Sequence, residues 1–413
     1  MNFIDRKTNR YLAAALTVAA AMMATPHIAA AQSEPKVALI APMSGPWARQ
    51  GELMRMGAEM AIADINEQGG IKALGGAKLK LVIVDAGDNA EKAKNAAQRL
   101  VAQEPDVVGG TGAFLSSFTL AVTEVTERAG LPWLTLSYSD QITSRGFKYV
   151  FQTSPTGSEQ ANRALPTIMA LAKSATGKDL KTVAVIRDNT ASSTAFFEPM
   201  KSGGFDRLNL KLVTDQVFTP PLSDATPMVQ QVRSHRPEVL ILTPTNVPDD
   251  KLVLEKLNEF GLGKGRLPVV GNGSHLGQPE MLKLVGNEIV DGMLSIVGNW
   301  GTRAQNDLIK RFSARTGEPW MGQESISTYG DMWVFKEALE AAGSIDRAKV
   351  ADAIRHMNTT TGAAQYFSGQ KLKFSENGRR EGASLVIIQW QNGRVEAVFP
   401  TDTATAPAHW PKQ

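Results

Sequence analysis

Val37-Ala38-Leu39-Ile40-Ala41, followed by Pro42-Met43-Ser44-Gly45-Pro46-Trp47, opens the ordered part of the chain and decides how the rest is read. Five apolar residues in a row, with no polar alternation, predict a strand buried on both faces of a sheet. Pro42 has no N–H for a ladder, so pairing stops there. Downstream, Leu53, Met56, Met60, Ala61 and Ile65 recur at helical spacing and predict a helix over Arg49 to Gln68, stopped by Gly69-Gly70. The unit then repeats. Strands are expected at Leu79 to Asp85, Asp106 to Gly110 and Pro132 to Ser137, with helices at Glu91 to Glu104 and Ser117 to Ala129. Buried strands alternating with amphipathic helices imply a doubly wound parallel sheet of the α/β class.

The same rhythm restarts after Pro155. Strands are expected at Thr182 to Arg187, Leu210 to Phe218, Glu238 to Thr243, Leu267 to Val270 and Gly292 to Val297, with helices at Thr226 to Ser234 and Asp249 to Phe260. A closing hairpin runs from Ser384 to Trp390, turns at Asn392-Gly393 and returns over Val395 to Phe399. Two cycles predict two lobes in a chain of 413 residues, long enough for two cores. The polar, proline-rich tail 401–413 is expected to lie loosely on the surface.

The first 31 residues stand apart. Arg6, Lys7 and Arg10 precede an apolar run from Tyr11 to Ala24, and Ala29-Ala30-Ala31 places small residues before a cut after Ala31. That is the pattern of a secretory signal peptide. No later run reaches the roughly 18 apolar residues of a membrane span. The chain has no cysteine, which excludes disulfides, thiolate metal sites, thiol nucleophiles and a lipidated cysteine tether. An untethered exported protein is retained best in a Gram-negative periplasm. A formal charge of +3, with both signs interspersed, gives no footprint for nucleic acid.

Catalytic patterns are absent from the sequence. Of five histidines, His27 lies in the signal peptide and His409 in the tail; His235, His275 and His356 have no metal-ligand spacing. There is no nucleophile elbow and no P-loop. Gly109-Gly110-Thr111-Gly112 lacks the third glycine of a dinucleotide fingerprint. No metal and no cofactor is expected. An exported hydrolase remains the alternative from another class, and it would need Ser274 or Ser117 within reach of a histidine.

Ligands of open α/β sheets sit beyond the carboxyl ends of strands. Three loops meet that rule: Pro42 to Trp47, Gly110 to Ser117, and Ser137-Tyr138-Ser139-Asp140. Helix-start N–H groups and the hydroxyls of Ser116, Ser117, Ser137 and Ser139 can hold a carboxylate without any Arg or Lys. The same serines can equally cap a helix or form a turn. Trp47, Phe114 and Tyr138 can stack on a ligand or simply fill the core.

Read together, these residues resemble a known family. Val37 to Pro46, Gly57-Ala58-Glu59, Ala63-Asp64-Ile65-Asn66 with Gly69-Gly70-Ile71, Asp85, Gly130-Leu131-Pro132, Ser137 to Ser139, Thr143, Arg145-Gly146-Phe147 and Phe151-Gln152-Thr153 follow the order of leucine/isoleucine/valine-type periplasmic binding proteins. The resemblance covers nearly the whole mature chain and is densest before about residue 160. It implies the type I periplasmic binding fold: two lobes of residues 36–156 plus 298–386 and 157–297 plus 387–400, joined by three crossover segments, two of them near Gly298 and Leu385. It also implies a solute held in the cleft and delivered to the membrane permease of an ABC transporter, by a monomer that is not an enzyme. By position, Ser116 or Ser117, Ser137 and Ser139 match the loops that bind the ligand carboxylate. A sensor subunit serving a membrane receptor is an alternative within the family.

The second lobe departs from the pattern. Amino-acid-binding relatives carry an acid after the strand ending near Val270, whereas this loop reads Gly271-Asn272-Gly273-Ser274-His275. The aromatic expected after Asp188 is replaced by Asn189-Thr190-Ala191-Ser192-Ser193. A buried ammonium without a counter-charge costs several kcal/mol. Either Asp140 or another acid substitutes on closure, or the ligand is an aromatic or aliphatic acid or an amide. Ser274 is the candidate contact from this lobe.

Overall fold

The computed structural model describes residues 34–411. The signal-peptide reading therefore concerns residues outside the described part. Two sheets organise the chain. The first contains β1 (Lys36–Ala41), β2 (Lys80–Asp85), β3 (Val107–Gly112), β4 (Trp133–Thr135) and β5 (Val150–Gln152), in the order β2-β1-β3-β4-β5. All its pairings are parallel. The Val37–Ala41 run is fully buried, as its unbroken apolar character requires.

Helices cover both faces of this sheet. Ala90–Gln103 and Ser116–Arg128 pack on one side, against a core containing Ile40, Leu100, Phe118 and Trp133. Ala48–Glu67 and Gln323–Ala342 share the other, with Leu39, Met54, Tyr329 and Phe335 between them and the sheet. These last two helices approach closely because Gly57 has no side chain: a Cβ there would sit 2.0 Å from the Ser325 carbonyl oxygen. Thr328 Oγ1 donates to the Met54 carbonyl at 2.8 Å and Ser325 Oγ to that of Leu53 at 2.9 Å, tying the two together.

The second sheet contains β6 (Thr182–Asp188), β7 (Lys211–Phe218), β8 (Val239–Thr243), β9 (Val269–Asn272), β10 (Leu294–Val297), β13 (Val386–Gln391) and β14 (Arg394–Phe399). Its order is β14-β13-β10-β9-β8-β6-β7. Strands β6 to β10 run parallel, while β13 is antiparallel to both β10 and β14, so the closing hairpin makes this sheet mixed rather than purely parallel. A two-stranded ribbon of β11 (Asn358–Thr359) and β12 (Leu372–Lys373) stands outside both sheets.

The chain passes between the sheets three times: after β5, after β10 at Gly298, and at Leu385 before β13. This is the type I arrangement. At the first passage Thr156 and Glu159 form a capping box that starts the Gly157–Thr176 helix. Among the described residues no helix is long and apolar enough to cross a membrane.

Three expectations change. Strand β9 ends at Asn272, two residues beyond the expected limit, and β3 continues to Gly112, so both candidate loops start later. The tail is docked rather than loose. Thr405 pairs with Ala397 through both N–H···O=C (2.8 Å) and Ala397 N–H···Oγ1 (2.9 Å), and Trp410 is buried against the second sheet. An indole in a polar tail supplies the apolar area that holds it there.

Candidate functional site

The loops leaving β3 and β4 meet those leaving β6, β8 and β9 around a small cavity between the two sheets. Gly112 turns the chain into it with φ +137°, where a Cβ would lie 1.9 Å from the Ile40 carbonyl oxygen. Phe114 follows at φ +74°, a region that a bulky residue rarely occupies. Its carbonyl accepts from Ser137 Oγ at 2.6 Å, which holds that conformation in place.

On the first-lobe wall the hydroxyls form a directed chain. The Ala113 N–H donates to Thr119 Oγ1 (2.9 Å), the Thr119 hydroxyl lies 2.7 Å from Ser137 Oγ, and Ser137 gives its proton to the Phe114 carbonyl. Ser116 Oγ accepts the N–H groups of Tyr138 (3.2 Å) and Ser139 (3.0 Å) and the Ser192 hydroxyl (2.9 Å). The Ser116–Arg128 helix has no side-chain cap. Its N–H groups at Ser117 and Phe118 have no intrahelical partner and carry the positive end of the helix.

On the second-lobe wall most side-chain donors are committed, one hydroxyl proton of the Ser193–Thr243 pair excepted. Thr245 Oγ1 donates to Asp188 Oδ2 at 2.7 Å, Ser274 Oγ donates to Glu324 Oε1, and Asn272 Nδ2 donates to Gln160 Oε1 at 2.8 Å. The Ser193 and Thr243 hydroxyls share one bond of 2.8 Å. His275 Nδ1 bonds Asp250, and Nε2 lies 3.1 Å from the Asn272 carbonyl. Oxygen lone pairs backed by carboxyl groups remain. Burial raises the carboxyl pKa of Glu324 and of Asp188 above the ordinary range. Burial pulls the His275 imidazole down, but the Asp250 carboxylate outweighs it and leaves the pKa raised.

Of the sequence candidates, Phe114, Ser137, Tyr138 and Ser274 line the cavity. Ser116 lies just behind it, bonded across the lobes to Ser192. Ser117 is the second residue of its helix and does not line the cavity. Ser139 accepts the Gln141 N–H and starts a short turn. Trp47 is buried against Phe118, edge to face at 5.6 Å, among core residues. Asp140 is held by Ser158 and Arg379 and does not line the cavity. The Tyr138 hydroxyl bonds Gln323 and accepts the Gly298 N–H at 3.1 Å, so it joins the cavity to the second crossover. Among the described residues neither Ser117 nor Ser274 is bonded to a histidine; Ser274 gives its proton to Glu324.

Ser192, Ser193, Thr243, Thr245, Asn272 and Gln323 also line the cavity. The strand-end rule, applied to β6 and β8 as it was to β3 and β4, reaches the first four. Glu324 carried no sequence signal, because its place beside Ser274 comes from a helix 50 residues away in the chain.

Comparison with known proteins agrees with this geometry. Residues 34–394 match the family model described as "Periplasmic binding protein". The chain is 28% identical to Leu/Ile/Val-binding protein homolog 7 of Brucella suis, over 96% of this chain and 98% of that one. Homolog 8 of Brucella melitensis is 26% identical, over 93% and 94%. Among solved structures, the leucine-binding protein LivK of Thermotoga maritima superposes with a TM-score of 0.73 at 22% identity, covering 88% of this chain and 97% of that one. A solute-binding protein of an R. palustris ABC transporter, in complex with benzoate, gives 0.74 at 18% identity, covering 91% and 97%. With the model match running through both sheets, the chain belongs to the periplasmic binding protein family.

Proposed function

We propose that this protein is the periplasmic solute-binding component of an ABC importer, and that its solute carries a carboxylate at one end and a hydrogen-bond donor at the other. The observation that carries the reading is the unequal proton accounting of the two walls. Behind the first, next to the lining residues Phe114 and Leu115, lies the positive end of the Ser116–Arg128 helix; the second offers lone pairs of Thr245 and Ser274, with Asp188 behind Thr245 and Glu324 reaching Ser274 from the first lobe. A ligand carboxylate lies at the first wall and an ammonium or amide N–H at the second, with Phe114 and Tyr138 against its apolar part. Glu324 supplies the counter-charge that the loop after β9 lacks. The related proteins whose names mention leucine, isoleucine and valine support the amino-acid end of this range, and the benzoate complex supports the carboxylate alone.

In this reading the signal peptide is removed after Ala31, and lobes 36–156 plus 298–386 and 157–297 plus 387–400 close over the solute. The monomer then docks on a membrane permease and catalyses no reaction. Matched probes test the solute class: small α-amino acids against the same acids lacking the amino group, by isothermal titration at pH 7.5. Preference for the amino form of about tenfold or more, some 1.4 kcal/mol, is expected. Protonating Glu324 removes the counter-charge, so the preference falls as pH drops through a value above the ordinary glutamate range. Glu324→Gln flattens that profile. Equal or tighter binding of the des-amino acid contradicts the assignment.

A further inference from the structure

Arg49, near the start of the Ala48–Glu67 helix of the first lobe, reaches across the lobe boundary. Its Nη2 lies 2.9 Å from Glu280 Oε1, on the Pro279–Val285 helix that packs on the second sheet. The same nitrogen lies 2.7 Å from Glu318 Oε1. Glu318 belongs to the segment whose Trp320 donates to the Gly277 carbonyl at 3.0 Å and stacks edge-on against Trp390 of the second sheet. Glu280 is thus the carboxylate that belongs to the second lobe, while Glu318 lies in a first-lobe segment that leans on the second lobe through Trp320. A third, Glu52 at 3.2 Å, lies on the helix of Arg49 itself and crosses nothing.

Beside this cluster the closed arrangement leaves polar atoms stranded. Gln50 and Gln278 are 1% and 3% exposed, and neither has a hydrogen-bond partner for its amide nitrogen or oxygen. Arg49 Nε and Glu280 Oε2 are buried and unpartnered as well. Buried polar groups without partners are destabilising, and water satisfies them once the lobes part. The ion cluster favours closure and the stranded amides oppose it.

We propose that Arg49 and Glu280 form a latch across the lobe boundary, and that Gln278 is the element that keeps the latch reversible. The lobes of the ligand-free protein then exchange between open and closed forms, and solute shifts a balance already set by these residues. The inference concerns closure alone and holds whatever the solute is.

Single-molecule energy transfer tests it without any solute. The chain has no cysteine, so Gln98→Cys and Gln230→Cys place two dyes on exposed positions, one in each lobe. The background protein is expected to show both populations. Glu280→Gln is expected to lower the closed-to-open ratio about threefold to fivefold, in line with a partly buried charge pair of about 1 kcal/mol. Gln278→Met is expected to raise it about fivefold, because it removes the stranded amide. Glu52→Gln keeps the ratio within about twofold. Opposite shifts from Glu280→Gln and Gln278→Met separate a latch from general loosening. The proposal is overturned by a ligand-free protein with no closed population. Shifts of equal size in Glu280→Gln and Glu52→Gln, or a fall in Gln278→Met, overturn it as well.

Discussion

Arg380→Met is expected to destabilise the protein by about 3–5 kcal/mol, since three backbone carbonyls lose their donor at about 1–3 kcal/mol each. Arg380 is 1% exposed and lies on the approach to the third crossover. Its Nε donates to the Thr153 carbonyl at the first crossover, and its Nη1 to the carbonyls of Ser368 (3.0 Å) and Lys371 (2.9 Å). Burial lowers its pKa to about 10, so it remains charged at neutral pH. Methionine fills a similar volume but leaves these carbonyls without donors. The loss should appear as a lower urea midpoint with an unchanged slope. A change below about 1 kcal/mol would show that the crossovers do not depend on this guanidinium.

Asp331 is expected to make the fold less stable as pH rises. Its carboxyl is fully buried on the Gln323–Ala342 helix, with Oδ2 accepting from Thr111 Oγ1 at 2.6 Å and Oδ1 without a partner. Burial raises its pKa from 3.8 to about 7. The folded state therefore holds a proton that the unfolded chain releases. That contribution is present in full below the unfolded value and is lost as pH rises to about 7. A displacement of that size corresponds to roughly 4 kcal/mol. Asp331→Asn keeps an oxygen for Thr111 and removes the titration. The mutant should be more stable than the parent at pH 8, with the difference vanishing near pH 4. Parallel stability curves for the two proteins between those values would sink this account.

Physical reasons separate what the sequence made legible from what it hid. β1 and the Ala48–Glu67 helix were legible because one is apolar throughout and the other carries a single apolar stripe. Gln323–Ala342 was invisible to the same test: fifteen of its twenty residues are buried, so no polar face marks its period. β5 spans three residues, too few for any period to register. In the candidate site, the first-lobe loops could be found because Ser116, Ser137 and Tyr138 follow strand ends. Residues of the second wall follow strand ends as well, but the wall's polar character was hidden, since it comes from pairs distant in the chain: Thr245 with Asp188, His275 with Asp250, Ser274 with Glu324. Serine hydroxyls read as ligand donors were also partly committed elsewhere. Ser137 spends its proton on the Phe114 carbonyl, and Ser116 accepts three hydrogen bonds.

The central claim, capture of a small carboxylate-bearing solute, is tested most directly by a thermal-shift screen. Protein stripped of retained solute by unfolding and refolding would be screened against α-amino acids, aromatic and aliphatic acids, dicarboxylates, amides and urea. Binding to the folded state alone stabilises by about 2.7 kcal/mol at 100 times the dissociation constant. The account predicts a saturable rise in Tm from compounds carrying both a carboxylate and a hydrogen-bond donor, lost in Glu324→Gln for the cationic members. A rise produced only by compounds without a carboxylate, or by none of these classes, would contradict it.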